Sequence, residues 1–426
     1  TEYTTLLSSA KINFMDEEKT LNGMIPFEGE LDPEIRKKAS DAKWKFYSDN
    51  ATQLDNIFDQ LVKVRHKIAI KLGFKNFIEL GYARMGRTDY TPENVANFRK
   101  QVKHYIVPVV SELIEKQTKR LGLEKMSFTD EKLDFLTGNP TPKGSTHDII
   151  EKALKMFAEL SPETKIFFDS MVENEMMDLD DKDGKAGGGY CTYLSQYKTP
   201  FIFTNFNGTA HDIKVLAHEA GHAFQKYCSK DYEITEYSSP TAETAEIHSM
   251  TMELLTWPWM NLFFMEDTNK YKFQHIAEAI TFIPYGVSVD EFQHFIYENP
   301  DMSPSERNHK WREIEHKYLP HRDYGDNVFL ENGGFWHSQR HIYKWPFYYI
   351  DYTLAQVCAF QFWQKATDNI TDAWNKYLDL CKAGGSQSFL QVIKTAGLES
   401  PFEDGCVQAI IYDLKNWLDS IDDTKL

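Results

Sequence analysis

The chain has 426 residues, a formal net charge of -17, and 42% hydrophobic against 26% charged residues. Its 29 Phe, 22 Tyr and 9 Trp argue for a sizeable packed core and against disorder. The acidic balance disfavours non-specific binding to nucleic acid or to an anionic membrane surface, because like charges repel.

The cysteines are Cys191, Cys228, Cys358, Cys381 and Cys406. Their number is odd and no two form a C-x-x-C pair, which disfavours a disulfide framework or a cysteine-ligated zinc and points to a reducing, cytoplasmic compartment. No signal peptide opens the chain, which begins at Thr1. No membrane span is expected either: the most apolar stretch, WPFYYIDYTLAQVCAFQFW (345–363), is interrupted by Asp351 and Gln356.

In chain order, residues 1–135 read mostly as helix. Apolar residues recur every three or four positions over 34–74, and again over 91–123 after a Thr-Pro-Glu start. FLTGNPTPKGSTHD (135–148) is a Gly/Pro-rich loop, a candidate lobe boundary within a single helical unit spanning 1–426. DLDDKDGKAGGGYCTYL (178–194) resembles a calcium loop, but Leu179 and Tyr190 occupy positions where an EF-hand needs carboxylates, so it reads as a solvated turn. YCTYL and TPFIFTNF (199–206) then read as two short strands of a small sheet. Gly187, Gly188 and Gly189 permit close backbone approach, and the strand opening at Tyr190 could pair with an extended peptide. Everything after about residue 209 reads as helix. The class is mainly α with one small sheet.

GTAHDIKVLAHEAGHAFQ (208–225) carries the first chemistry. Thr209 and Asp212 fit a helix start of the S/T-x-x-D form. His218 and His222 fall one turn apart on one face, where both imidazoles can reach one ion. Glu219 is rotated by about 100 degrees from His218 and suits a general base acting on a water held by that ion. A second helix is expected over SSPTAETAEIHSMTMELL (238–255), with Ser239 as cap and Pro240 in its first position. Glu243, Glu246 and Glu253 fall within about 80 degrees of one another on it, and any of the three could complete a His-His-Glu catalytic zinc site. His248 lies on the other side of the helix and ranks below them.

The chain resembles the oligoendopeptidase F family, relatives of thimet oligopeptidase among the zinc metallopeptidases. RMGRTDYTPENVANFRKQV (84–102), KAGGGYCTYL, PFIFTNFNGT, HEAGHAFQ, AEIHSMTMELLTWPW, FIPYGVSVDEFQHFIYENP (282–300), KYLPHRDYGD (317–326) and HIYKWPFYYIDYTLAQVCAFQFW (341–363) carry the resemblance in family order through most of the chain. It implies a large multi-helical, zincin-type metallopeptidase with the small sheet beside the active-site helix and a deep substrate cleft. It implies one zinc ion per chain, with Glu246 as third ligand, since Ser249 and Glu253 match the family's Glu-x-x-Ser and following Glu. Glu253 would then orient a ligand histidine. It further implies that His341, Tyr349 and Tyr352 face the metal and contact the scissile carbonyl, Tyr352 most firmly. Short peptides cleaved internally would be the substrates, and family members carry a further helical segment upstream. The rival is a peptide-binding protein with a structural or inactive metal site. A carboxypeptidase would need a cation to anchor the substrate terminus, for which Arg84, Arg87, Arg322 and Arg340 are available.

Overall fold

A computed structural model describes every residue except Asp183, Gly184 and Ala186, so the centre of the loop read as a solvated turn lies outside the described residues. The fold is mainly helical with small sheets. The chain packs into two compact units. One comprises Thr1–Gly138, Ala277–Thr353 and Lys415–Lys425; the other comprises Asn139–Ile276 and Leu354–Leu414. The first crossing falls at the Gly138–Asn139 bond, inside the Gly/Pro-rich loop.

In the first unit, Asp32 caps a helix over Pro33–Asp49 by accepting from the Glu34 amide, with Pro33 in the first turn where its missing N–H costs nothing. Asn50 ends that helix, and a second runs over Ala51–Lys71, so the long periodic stretch is two helices. The stretch after Thr91 is likewise divided. Helices Pro92–Gln101 and Val107–Arg120 are joined by a π-turn at Val102–Ile106. Pro108 accounts for it, because it lacks an N–H and its ring crowds the preceding turn. The sequence reading missed a hairpin, β1 (Ile12–Phe14) and β2 (Glu17–Lys19). Met15 and Asp16, at φ 53 and 64, form its two-residue turn, a conformation usually signalled by Asn-Gly. The core of this unit is aromatic: Phe58 lies 4.7 Å from Trp336, which stacks on Tyr343 at 5.6 Å.

The second unit holds the expected strands, β4 (Tyr190–Leu194) and β5 (Thr199–Phe206), paired antiparallel. A third, β3 (Met177–Asp180), pairs parallel to β5 and was not expected, because its acidic residues hide the apolar signal of Leu179. The order β3-β5-β4 leaves β4 at an edge. Alternate residues of β5 are buried, and that strand packs on the helix His211–Cys228. Among the described residues, no helix is long and apolar enough to cross a membrane.

Candidate metal centre

The helix His211–Cys228, the motif helix, follows β5 after a short turn. Its start differs from the expected one. The Asp212 carboxylate turns back to accept from the amides of Asn207 (3.0 Å) and Gly208 (2.7 Å), while the Thr209 hydroxyl donates to Asn207 Oδ1. The acidic helix also starts later than expected, covering Ala242–Leu255 with Thr241 at its N-cap. Ser239 is not its cap; its hydroxyl meets Lys226 Nζ at 2.6 Å.

Gly221, inside the H-E-x-x-H motif, sets the distance between these two helices. A Cβ there would lie 2.7 Å from His248 O and 2.7 Å from Ser249 Cα, so only glycine allows this crossing. The close crossing brings Glu246 to the histidines. Its Oε2 lies 3.2 Å from His218 Nε2 and 3.4 Å from His222 Nε2. The two rings are 4.9 Å apart and nearly perpendicular, and one donor atom from each of the three residues lies within 4.8 Å of the others. Ser249 Oγ donates to the same Glu246 oxygen at 3.0 Å.

Electrostatics favour a cation at this point. Burial works to raise the Glu246 pKa, yet the charge of His222 and hydrogen bonds from both imidazoles hold it well below the carboxylate range. Burial works to lower the His218 pKa, and Glu246 and Glu253 carry it well above the usual value. A proton or a metal ion can supply the positive charge, and two imidazoles with one carboxylate are a donor set that suits zinc.

Glu219 stands outside this trio. It is buried, burial raises its pKa, and its Oε2 has no hydrogen-bond partner among the described residues. Gly189 lies against it: a Cβ there would sit 3.0 Å from both Glu219 Oε1 and Val215 Cγ2. Gly188 has φ 98, and its carbonyl accepts from Asn205 Nδ2 at 2.7 Å. Gly187 precedes them, and Tyr190, half exposed, stacks on Phe203 at 4.9 Å.

Glu243 and His248 are buried in the acidic helix but outside the trio. Burial lowers the His248 pKa to about 3, which leaves it neutral. Glu253 Oε1 meets His218 Nδ1 at 2.7 Å, and its other oxygen meets His275 Nε2 at 2.8 Å. Neither His275 nor its neighbour Trp257 was singled out from the sequence. His275 lies on a separate helix, Thr268–Glu298, with no spacing that ties it to the motif.

His341, Tyr349 and Tyr352 come together within the first unit. The Tyr352 hydroxyl is 3.3 Å from His341 Nε2, and the Tyr349 ring is 4.9 Å from that of His341 and 5.5 Å from that of Tyr352. Two of the four candidate anchoring arginines are already engaged. Arg87 is fully buried in an ion pair with Asp351 at 2.6 Å, and Arg322 pairs with Glu131 at 2.8 Å.

Peptidase family M3 matches residues 29–136 and 149–411, and the chain belongs to that family. Within it, the likeness is to the oligoendopeptidase F type. The chain is 24% identical over 387 residues to oligopeptidase PepF of Bacillus subtilis, covering 88% of this chain and 56% of that protein. It is 26% identical over 375 residues to an oligoendopeptidase F homolog of Borreliella burgdorferi, covering 86% of this chain and 62% of that one. The solved structure of PZ peptidase A with inhibitor 2 superposes with a TM-score of 0.98 at 58% identity, over 99% of this chain and 75% of that one. The chain thus spans little more than half the length of the first curated relative.

Proposed function

We propose that the chain is a zinc-dependent endopeptidase that hydrolyses internal bonds of short peptides. The observation that carries this reading is the convergence of His218, His222 and Glu246 beside a buried Glu219 with an unpartnered oxygen. One zinc ion per chain would be held by His218 Nε2, His222 Nε2 and a Glu246 carboxylate oxygen, and when bound it supplies Lewis acidity that polarises a carbonyl and acidifies water. Glu219 takes the proton of the attacking water at a carboxylate oxygen and passes it to the leaving amine nitrogen. Its raised pKa suits a group that must both accept and return that proton. The Tyr352 hydroxyl donates to the carbonyl oxygen as it gains charge, with His341 and Tyr349 steadying the hydroxyl. The peptide backbone pairs with the free edge of β4, entered over Gly187, Gly188 and Gly189 past Tyr190.

The names of the M3 relatives support short peptides as substrates. The net charge of -17 speaks against nucleic acid as a partner, and an odd set of free cysteines supports a reducing, cytoplasmic setting. A structural metal site explains the trio equally well, but it does not explain why a buried carboxylate with one oxygen unpartnered among the described residues is kept beside it.

The test is mass spectrometry of products from a mixed peptide library, with elemental analysis of the protein. The wild type should carry about one zinc per chain and cut internally. A chelator should abolish cleavage and added zinc should restore it. Glu246→Ala should purify without zinc. A zinc-loaded Glu246→Ala protein, or chelator-insensitive cleavage, would refute the assignment.

A further inference from the structure

Glu253 is where the metal centre stops being legible from the motif, and the hydrogen bonds beyond it have a fixed direction. Trp257 Nε1 points at His275 Nδ1 at 3.0 Å. An indole N–H can only donate. His275 Nδ1 must therefore present a lone pair, and the one proton of the neutral ring sits on Nε2. That Nε2–H donates to Glu253 Oε2 at 2.8 Å. Glu253 Oε1 receives the Nδ1–H of His218 at 2.7 Å, and the other nitrogen of that ring, Nε2, faces Glu246 and the candidate place for the ion. The indole N–H sets the direction of the His275 link, and the Glu253 carboxylate, an acceptor, sets that of the His218 link.

Three of these side chains also shut out the solvent that would otherwise replace a missing partner: Glu253 and His275 are each 3% exposed and Trp257 is 7% exposed. Glu253 meets one imidazole at each oxygen, His218 at Oε1 and His275 at Oε2, so both oxygens serve as acceptors. If the His275 bond is removed, one carboxylate oxygen is left buried without a donor. Glu253 is then free to rotate about its last torsion, and His218 loses the contact that fixes its ring plane.

We propose that His275 is a positioning residue for the metal ligand His218, acting through Glu253 and held in its Nε2–H tautomer by Trp257. The proposal rests on the metal-site reading above, and its test separates the two. Zinc affinity is measured by chelator competition on the full chain, for wild type, His275→Leu, His275→Gln and Trp257→Phe. The imidazole nitrogens of the metal-free wild type are read by 15N NMR. Gln offers an amide N–H to Glu253 and a carbonyl to Trp257, so it can replace both bonds of the imidazole; Leu replaces neither.

The NMR should show His275 protonated at Nε2 only. His275→Leu should weaken zinc binding by about 10- to 100-fold, and His275→Gln should recover most of that loss. Trp257→Phe, which keeps the ring packing, should weaken zinc binding in the same direction and keeps the test open if His275→Leu fails to fold. A proton on His275 Nδ1 would overturn the proposal. So would wild-type zinc affinity in the variants with only a lowered Tm, which is the mark of a merely structural residue. A wild type that binds no zinc would overturn the metal-site reading and the positioning role together. A zinc-binding wild type with indifferent variants would overturn the positioning role alone.

Discussion

Arg87 and Asp351 in one unit, and the two histidines facing Glu246 in the other, are both cases of charge taken out of water. The side chains of Arg87 and Asp351 are 0% exposed and meet at 2.6 Å; the guanidinium also donates to Phe347 O and lies 4.4 Å from the centre of the Tyr82 ring. A guanidinium cannot give up its proton, so this pair is permanent. At the candidate metal centre the partners of the carboxylates are imidazoles, a side chain that can exchange its proton for a metal ion. Beside them, Glu219 keeps an oxygen without a hydrogen-bond partner among the described residues. Buried charge neutralised by arginine is closed to chemistry, whereas charge neutralised by histidine stays open to exchange.

The sharpest way to break this contrast is to remove charge from each side in turn. Glu219→Gln should keep zinc and lower kcat by about 10²- to 10⁴-fold, because a positioned general base is worth that much. Elemental analysis and steady-state kinetics read both quantities, and retained turnover would strip Glu219 of its role. Arg87→Leu should do the reverse. It takes the guanidinium away from the buried Asp351 carboxylate, so urea unfolding should show a loss of about 3–5 kcal/mol with zinc content unchanged. A zinc-deficient but stable Arg87→Leu protein would erase the distinction between the two kinds of site.

The aromatic cluster lies between these extremes, since it pairs an imidazole with a hydroxyl instead of a fixed charge. Tyr352→Phe should lower kcat by about 10²- to 10³-fold with little change in KM, as expected for a donor used mainly in the transition state. An unchanged kcat would make the 3.3 Å contact with His341 a packing contact only.

How much of this was legible depended on whether the signal was local. His218, His222 and Glu219 share one helical turn, so spacing alone sets which faces they take. The strands at Tyr190 and Thr199 announced themselves through β-branched and aromatic residues. The three acidic candidates on the next helix could not be separated by angle, because the choice of Glu246 depends on where two helices cross. That crossing is governed by Gly221, an unspecified position of the motif to which the sequence reading gave no role. His275 was invisible for a similar reason: it reaches Glu253 across 22 residues and a change of helix. The β1–β2 hairpin was hidden by a Met-Asp turn with none of the usual Asn-Gly chemistry.

Gly221 gives the smallest effect and the cleanest conflict between two physical terms. Alanine is the better helix former by about 1 kcal/mol, so propensity alone predicts that Gly221→Ala stabilises the motif helix. Packing predicts the opposite. The new methyl would meet backbone atoms of the acidic helix, His248 O and Ser249 Cα at 2.7 Å, and backbone cannot rotate away as a side-chain tip can. Overpacking of this kind costs about 1–3 kcal/mol, enough to outweigh the gain in propensity. Relieving the strain by shifting the acidic helix would move Glu246, which lies 3.2 and 3.4 Å from His218 and His222 in the proposed zinc site. Gly221→Ala should therefore lower both Tm and zinc affinity, measured by calorimetry and chelator competition. A raised Tm with full zinc affinity would mean that something other than this close crossing holds the third ligand in place.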